Sequence, residues 1–142
     1  MDVRRVGKTV EITRTVPFGD CDPAGIAYTG KITNYAVEAL DEFWKFALDG
    51  PGWFEMNVDQ GFGTPFVSFK MEFSGPITPR EKLLLRVSVS RQGVTSISFQ
   101  VDAFQAGAPK FSSEMICVFA HKQTLEKRTP PDWVQRGIDS YL

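Results

Sequence analysis

Histidine is almost missing from this chain of 142 residues: there is one, His121. Any scheme that needs an imidazole must rely on it, and its place before KQTLEKR reads as an exposed residue at the end of a strand. Cysteine is scarce too. Cys21 and Cys117 lie far apart and form no CxxC or Cys/His cluster, which leaves out a disulfide scaffold and a zinc centre and fits a reducing compartment. The opening MDVRRVGKTVEI has no apolar h-region, and no stretch approaches the roughly 18 apolar residues of a membrane span. Neither export nor a membrane span is expected, and the expected location is the cytoplasm. An excess of one charge is missing as well. Sixteen Lys and Arg stand against 17 Asp and Glu, a net charge of -1, so there is no electrostatic case for nucleic acid or an anionic membrane surface. No GxSxG occurs, which excludes the nucleophile elbow of the α/β hydrolases. The expected partners are small molecules and copies of the chain itself.

What is present suits a single domain over residues 1–142, long enough to bury roughly two thirds of the surface of the unfolded chain. Residues 8–16, KTVEITRTV, alternate in polarity and are rich in Val, Ile and Thr, which predicts a strand ending at Pro17. From Ile32 onward, Tyr35, Ala36, Ala39, Leu40, Phe43, Phe46 and Ala47 recur at spacings of three and four, and Gly50-Pro51 stops the pattern. Val37, Trp44 and Leu48 widen that apolar stripe, so the helix is expected to lie deep against a sheet. Residues 51–60 read as a short helical turn or loop, and four strands are expected near 65–74, 81–91, 94–105 and 110–121. Their short connections, GPITPRE, RQGV and QAGAPK, predict antiparallel neighbours. A short C-terminal helix is expected in TPPDWVQRGIDSYL. The class is therefore α+β: an antiparallel sheet of about five strands wrapped around one long central helix.

Chemistry concentrates in FGDCDPAGIAY, residues 18–28. The spacing of Asp20, Asp22 and Gly25 is that of a calcium loop's start, but Ala24 takes the third ligand position and Lys31 the place of the bidentate Glu. No metal site is expected. A nucleophilic Cys21 needs a depressed pKa, whereas two flanking carboxylates act in the opposite direction. Two readings of the aspartates remain. They satisfy backbone N–H groups of the turn, or one of them is a reacting carboxylate held before the helix N-terminus, whose first amides lack intrahelical partners. In the second reading, amides around 28–31 polarise a carbonyl while the carboxylate attacks it or activates water. That is acyl transfer, and a carboxylate is a modest base, so the acyl group should be an activated one such as a thioester.

FGDCDPAGI closely resembles the active-site loop of the 4-hydroxybenzoyl-CoA thioesterase family, which has the hotdog fold. GFGTPFVSFKMEF at 61–73 is similar to the strand after the helix in those enzymes, and the likeness runs in order over nearly the whole chain. The resemblance implies that Asp22 is the catalytic carboxylate, as nucleophile through a mixed anhydride or as general base. Pro23 would restrict the Asp22 backbone, and Gly25 would admit close approach of chain and thioester. It implies a carbonyl-polarising amide at Thr29, with Tyr28 or Gly30 one position away. It further implies a dimer joined sheet edge to sheet edge, assembling to a tetramer, in which Thr64, Pro65 and Ser68 line the wall opposite the carboxylate.

Two departures from the family pattern bear on substrate. Relatives specific for the hydroxybenzoyl group carry an acidic residue on the central helix where this chain has Val37, with Glu38 beside it. Their basic cluster for the nucleotide phosphates is reduced to Arg91, ranked ahead of Lys70, Arg80 and Lys82. Tyr28, Phe43, Trp44, Trp53, Phe62 and Phe66 are aromatic candidates for the pocket. The expected function is hydrolysis of an aromatic or short to medium acyl-CoA, with coenzyme A as part of the substrate and no separate cofactor. The alternatives are a hotdog protein that binds such ligands without turnover, and a hotdog dehydratase, which normally pairs the carboxylate with a histidine.

Overall fold

The computed structural model describes residues 1–142. Strands β1 (Asp2–Val6) and β2 (Thr9–Arg14) form a hairpin around Gly7, whose φ of +61° suits a residue without a Cβ. Only β2 falls in the expected strand. DVRRV carries no alternation because β1 is an edge strand with only Val3 turned toward the core.

A single 3-10 turn (Phe18–Asp20) leads to helix α1 (Thr29–Ala47), which buries Ile32, Tyr35, Ala36, Ala39, Leu40, Phe43 and Trp44. The helix starts one turn earlier than its apolar pattern, since Thr29, Gly30 and Lys31 are exposed. Val37 and Phe46 are exposed as well, so the buried stripe is narrower than the sequence suggests. Asp49 and Gly50 end α1 with φ of 53° and 141°. Helix α2 (Trp53–Val58) is fastened to α1, as Asp41 accepts the Trp53 N–H at 2.7 Å. Within α2, Glu55 accepts the Gly52 N–H at 3.0 Å.

Strands β3 (Phe62–Gly63), β4 (Phe66–Phe73), β5 (Leu83–Gln92), β6 (Ser96–Gln105), β7 (Ala108–Val118) and β8 (Ala120–His121) follow, then helix α3 (Asp132–Asp139). Six strands form one antiparallel sheet in the order β1-β2-β5-β6-β7-β4, and β3 pairs with β8 apart from it. The expected helix-wrapped antiparallel sheet is present, one strand larger because of β1. The β5-β6-β7 meander agrees with its short turns, but the β4–β5 connection does not join neighbours. Residues 74–82 instead cross the end of the sheet, held where Lys110 O accepts the Ser74 N–H and where Gln105 bonds both Thr78 and the Glu81 carbonyl. Pro76 and Pro79 keep this segment extended and out of a tight hairpin.

Helix α1 lies over β2, β5 and β6. Between them Phe43, Trp44, Phe99, Phe119 and Tyr141 meet edge to face at centroid distances of 5.0 to 6.3 Å. On the opposite face Glu11 is buried between Arg4 and Arg86, which donate to its two oxygens at 2.8 and 2.6 Å. The Arg86 hydrogen bond, with help from Arg4, holds the Glu11 carboxyl below its usual range. No helix is long and apolar enough to cross a membrane. Helix α3 seats on the end of α1 through Gly137, where a Cβ would lie 2.7 Å from the Ala47 carbonyl oxygen and 2.8 Å from Leu48. Gly137→Ala is expected to cost about 1 to 3 kcal/mol by overpacking, despite alanine's better helix propensity. Urea unfolding against wild type measures it.

Candidate active site

The turn before α1 is closed by its own backbone. Asp22 N–H donates to Ile26 O at 2.9 Å, Gly25 N–H to Asp22 O at 3.0 Å, and Cys21 bridges Ala27 across the loop. Gly25 sits at φ +80°, where a side chain would be strained. One oxygen of Asp22, Oδ1, accepts the Ala24 N–H at 2.9 Å, and the residue is half-buried at the surface. Ala27 N–H donates to Ile77 O at 2.8 Å, which ties the turn to the crossing segment 74–82.

The first residues of α1 show why the place suits an anionic ligand group. Tyr28 is the N-cap and offers no side-chain cap. Its N–H donates to Asp20 O, and its carbonyl accepts from Lys31 and Ile32. The N–H groups of Thr29 and Gly30 donate to no protein acceptor. Gly30 lies under the Tyr28 ring, whose Cε1 is 2.9 Å from where a Cβ on Gly30 would stand.

Asp20 does more than form a turn. Its Oδ2 accepts the Tyr35 hydroxyl at 2.6 Å, and Lys31 stands 4.0 Å from Oδ1. Burial, then the Asp20 hydrogen bond, push the Tyr35 hydroxyl well above its ordinary pKa, so it remains a donor. The Arg14 guanidinium stacks 4.2 Å from the Tyr35 ring centroid and bonds Glu38. The sequence carried no sign of this link, because Tyr35 reads there as one more apolar position of the helix.

An apolar groove of about 370 Å³ lies between α1, α2 and the start of β4. Its walls include Val37, Trp44, Trp53, Phe54, Thr64 and Phe66, with Glu38, Asp41 and Pro65 at its edges. Of the residues singled out from sequence, the structure brings Val37, Thr64 and Pro65 into this groove and Asp22, Gly25, Tyr28 and Thr29 into the turn. Ser68 and Arg91 line neither; Ser68 is exposed on β4 and Arg91 on β5. Trp44, Trp53 and Phe66 join the groove, Phe43 and Phe62 belong to the core, and Tyr28 is exposed at the helix start. Phe54 escaped the sequence reading, since a short helix of two turns gives too little periodicity to show which side faces a cavity. His121 is exposed on β8, away from the turn, and burial pushes the Cys117 thiol up to about 12.

Comparison with known proteins agrees with this architecture. Residues 16–138 match the family model described as "Thioesterase-like superfamily". A solved thioesterase superfamily protein from Jannaschia sp. CCS1 is 36% identical, with a TM-score of 0.87 over 98% of this chain and 96% of that one. The 1,4-dihydroxy-2-naphthoyl-CoA hydrolase of Nostoc punctiforme is 25% identical over 134 residues, 89% of this chain and 84% of its own length. The 4-hydroxybenzoyl-CoA thioesterase of Pseudomonas sp. strain CBS-3 shares the fold at a TM-score of 0.74 and 23% identity, covering 90% of this chain and 98% of its own. These findings bear out the hotdog fold and the thioester-hydrolase class implied by FGDCDPAGI, and with 16–138 matched the chain belongs to the thioesterase-like superfamily.

Proposed function

We propose that the protein hydrolyses an acyl-CoA thioester with an aromatic acyl group, releasing the free acid and coenzyme A. The observation that carries this reading is the pairing, within one closed turn, of the half-buried Asp22 carboxylate with a helix start whose Thr29 and Gly30 amides have no protein acceptor. The amides stabilise the oxyanion that develops on the thioester carbonyl. Asp22 either attacks the carbonyl carbon, expelling the thiolate and leaving a mixed anhydride that water hydrolyses to the acid, or takes a proton from the attacking water and passes it to the departing thiolate. The groove walled by Trp44, Trp53, Phe54 and Phe66 suits a flat acyl group, and the relatives named for aryl-CoA substrates support that choice.

Asp22 does not line the groove of its own chain. The reading therefore includes a dimer in which the turn of one protomer closes the groove of its partner, with tetramer formation by pairs of dimers. Strand β4 supports it: the edge of the sheet exposes Phe66, Val67, Phe69 and Phe73. Thr64 and Pro65, at the start of that strand, then face the partner's carboxylate. Ser68 and Arg91 keep their proposed roles, Ser68 on the wall opposite the partner's carboxylate and Arg91 toward the coenzyme A phosphates. No cofactor or metal enters the scheme, and the setting is the cytoplasm, consistent with two free thiols.

The test is a panel of benzoyl-, hydroxybenzoyl-, phenylacetyl-, butyryl- and octanoyl-CoA, with thiol release followed for the purified protein. Aryl thioesters are expected to turn over with the highest kcat/KM. Binding of these ligands without thiol release from any of them would show a binding protein in place of an enzyme.

A further inference from the structure

We infer that Tyr35 and Arg14 are positioning residues, which lock the Asp20 carboxylate and through it set both halves of the reacting turn. The inference rests on the thioesterase reading above and adds residues that do not touch the substrate. Tyr35 is buried on the second turn of α1, and its hydroxyl reaches Asp20 Oδ2 at 2.6 Å. Arg14 comes from β2, covers the ring at 4.2 Å, and is itself held by Glu38 on α1. The sheet thus reaches the turn through Tyr35, whose ring Arg14 covers and whose hydroxyl holds the Asp20 carboxylate.

That carboxylate belongs to the residue whose backbone carbonyl fixes the helix start. Asp20 O accepts the Tyr28 N–H at 2.9 Å, and Tyr28 is the N-cap that orients the Thr29 and Gly30 amides. Asp20 also stands two positions before Asp22, next to the Cys21–Ala27 bridge that closes the loop, and its carbonyl pairs with Tyr28 just beyond that bridge. The turn itself has few side-chain anchors. Phe18 is 88% exposed, Pro23, Ala24 and Gly25 are exposed, and the Asp22 side chain bonds only to its own loop. Asp20 is the side chain of this loop that reaches a buried partner on another element. Loosening it lets carboxylate and amides shift relative to each other, and an error of about 1 Å in such an arrangement costs on the order of 100-fold in rate. Glu38 also edges the groove, so one chain of contacts runs from the turn to the rim of the apolar site in the same protomer.

The experiment compares Tyr35→Phe, Asp20→Ala and Asp20→Asn in the full chain, with kcat and KM measured on the best aryl-CoA and backbone amide exchange followed by mass spectrometry. Phenylalanine keeps the buried ring. We expect Tyr35→Phe to lower kcat by about 10- to 100-fold with little change in KM, and to speed exchange in residues 20–31 while the rest of α1 stays protected. Asp20→Asn, whose amide oxygen still accepts from Tyr35, should recover most of the kcat lost in Asp20→Ala. Wild-type kcat in Tyr35→Phe, or faster exchange spread evenly along α1, would overturn the inference and leave Tyr35 a core residue. Should wild type release no thiol from any substrate, the thioesterase reading fails by itself, and the exchange pattern still decides whether Tyr35 holds the turn.

Discussion

Asp22→Asn is expected to lower kcat for thioester hydrolysis by about 10²- to 10⁴-fold, the range over which a positioned acid-base or nucleophilic group contributes. The substitution is chosen because asparagine keeps the oxygen that accepts the Ala24 N–H at 2.9 Å, so the loop retains its shape. It removes the charge, and with it the ability to attack a carbonyl or to take a proton from water. KM should change little, because the isosteric asparagine leaves the shape of the turn unaltered and Asp22 does not line the groove of its own chain. Thiol release with a disulfide reagent measures the rate, and thermal unfolding checks the fold. Hydrolysis at the wild-type rate in this variant would remove Asp22 from the chemistry and return it to the role of a turn-former.

Phe69→Lys is expected to separate the protomers of the proposed dimer and to remove activity with them. Phe69, Met71 and Phe73 of β4 stand opposite Met115, Ser113 and Phe111 of β7, three residues that are buried beneath the helical side of the sheet. Met71 packs partly against the core, but Phe69 and Phe73 are left exposed, because α1 reaches over β2, β5 and β6. A second copy joined at this edge would bring the helix that covers them. An aromatic anchor at the centre of an interface is worth about 2 to 4 kcal/mol, or roughly 30- to 1,000-fold in Kd. Two-fold symmetry places the lysine on both sides. Sedimentation should show a monomer with unchanged secondary structure, and thiol release should disappear with the dimer because each groove loses its partner's turn. A wild-type protein that sediments as a fully active monomer would exclude the shared site.

Much of this arrangement was legible in the residues, and the parts that were not have identifiable reasons. The periodicity of Ile32, Tyr35, Ala36, Ala39, Leu40 and Phe43 locates the central helix because seven of its positions are buried against one sheet. The same periodicity hides what Tyr35 does, since a buried phenol contributes to an apolar stripe whether or not its hydroxyl finds a carboxylate. Val37 looked like more of the stripe and is 37% exposed at a groove, a distinction that depends on where α2 lies. The strands β5, β6 and β7 follow from alternation and tight turns. The place of β4 does not, because a nine-residue connection fits a neighbour as well as a crossing, and what decides is Gln105 gripping Thr78 and Glu81. Asp22 stands out as a candidate in the D-x-D-P-A-G string, whereas Asp20's partner lies fifteen residues on and had no local signal.

The crossing from β4 to β5 also dictates an order of events during synthesis. β4 leaves the ribosome before β5, β6 and β7, yet its partner in the sheet is β7, whose residues 111–117 pair with 66–73. Until that last strand of the meander exists, Phe66, Val67, Phe69 and Phe73 have neither a neighbouring strand nor a covering helix. Long-range pairing of this kind is slow and leaves apolar strands exposed to wrong partners. Lys70 and Glu72, set among them with side chains mostly in water, are the charges that guard the segment against association with other nascent chains.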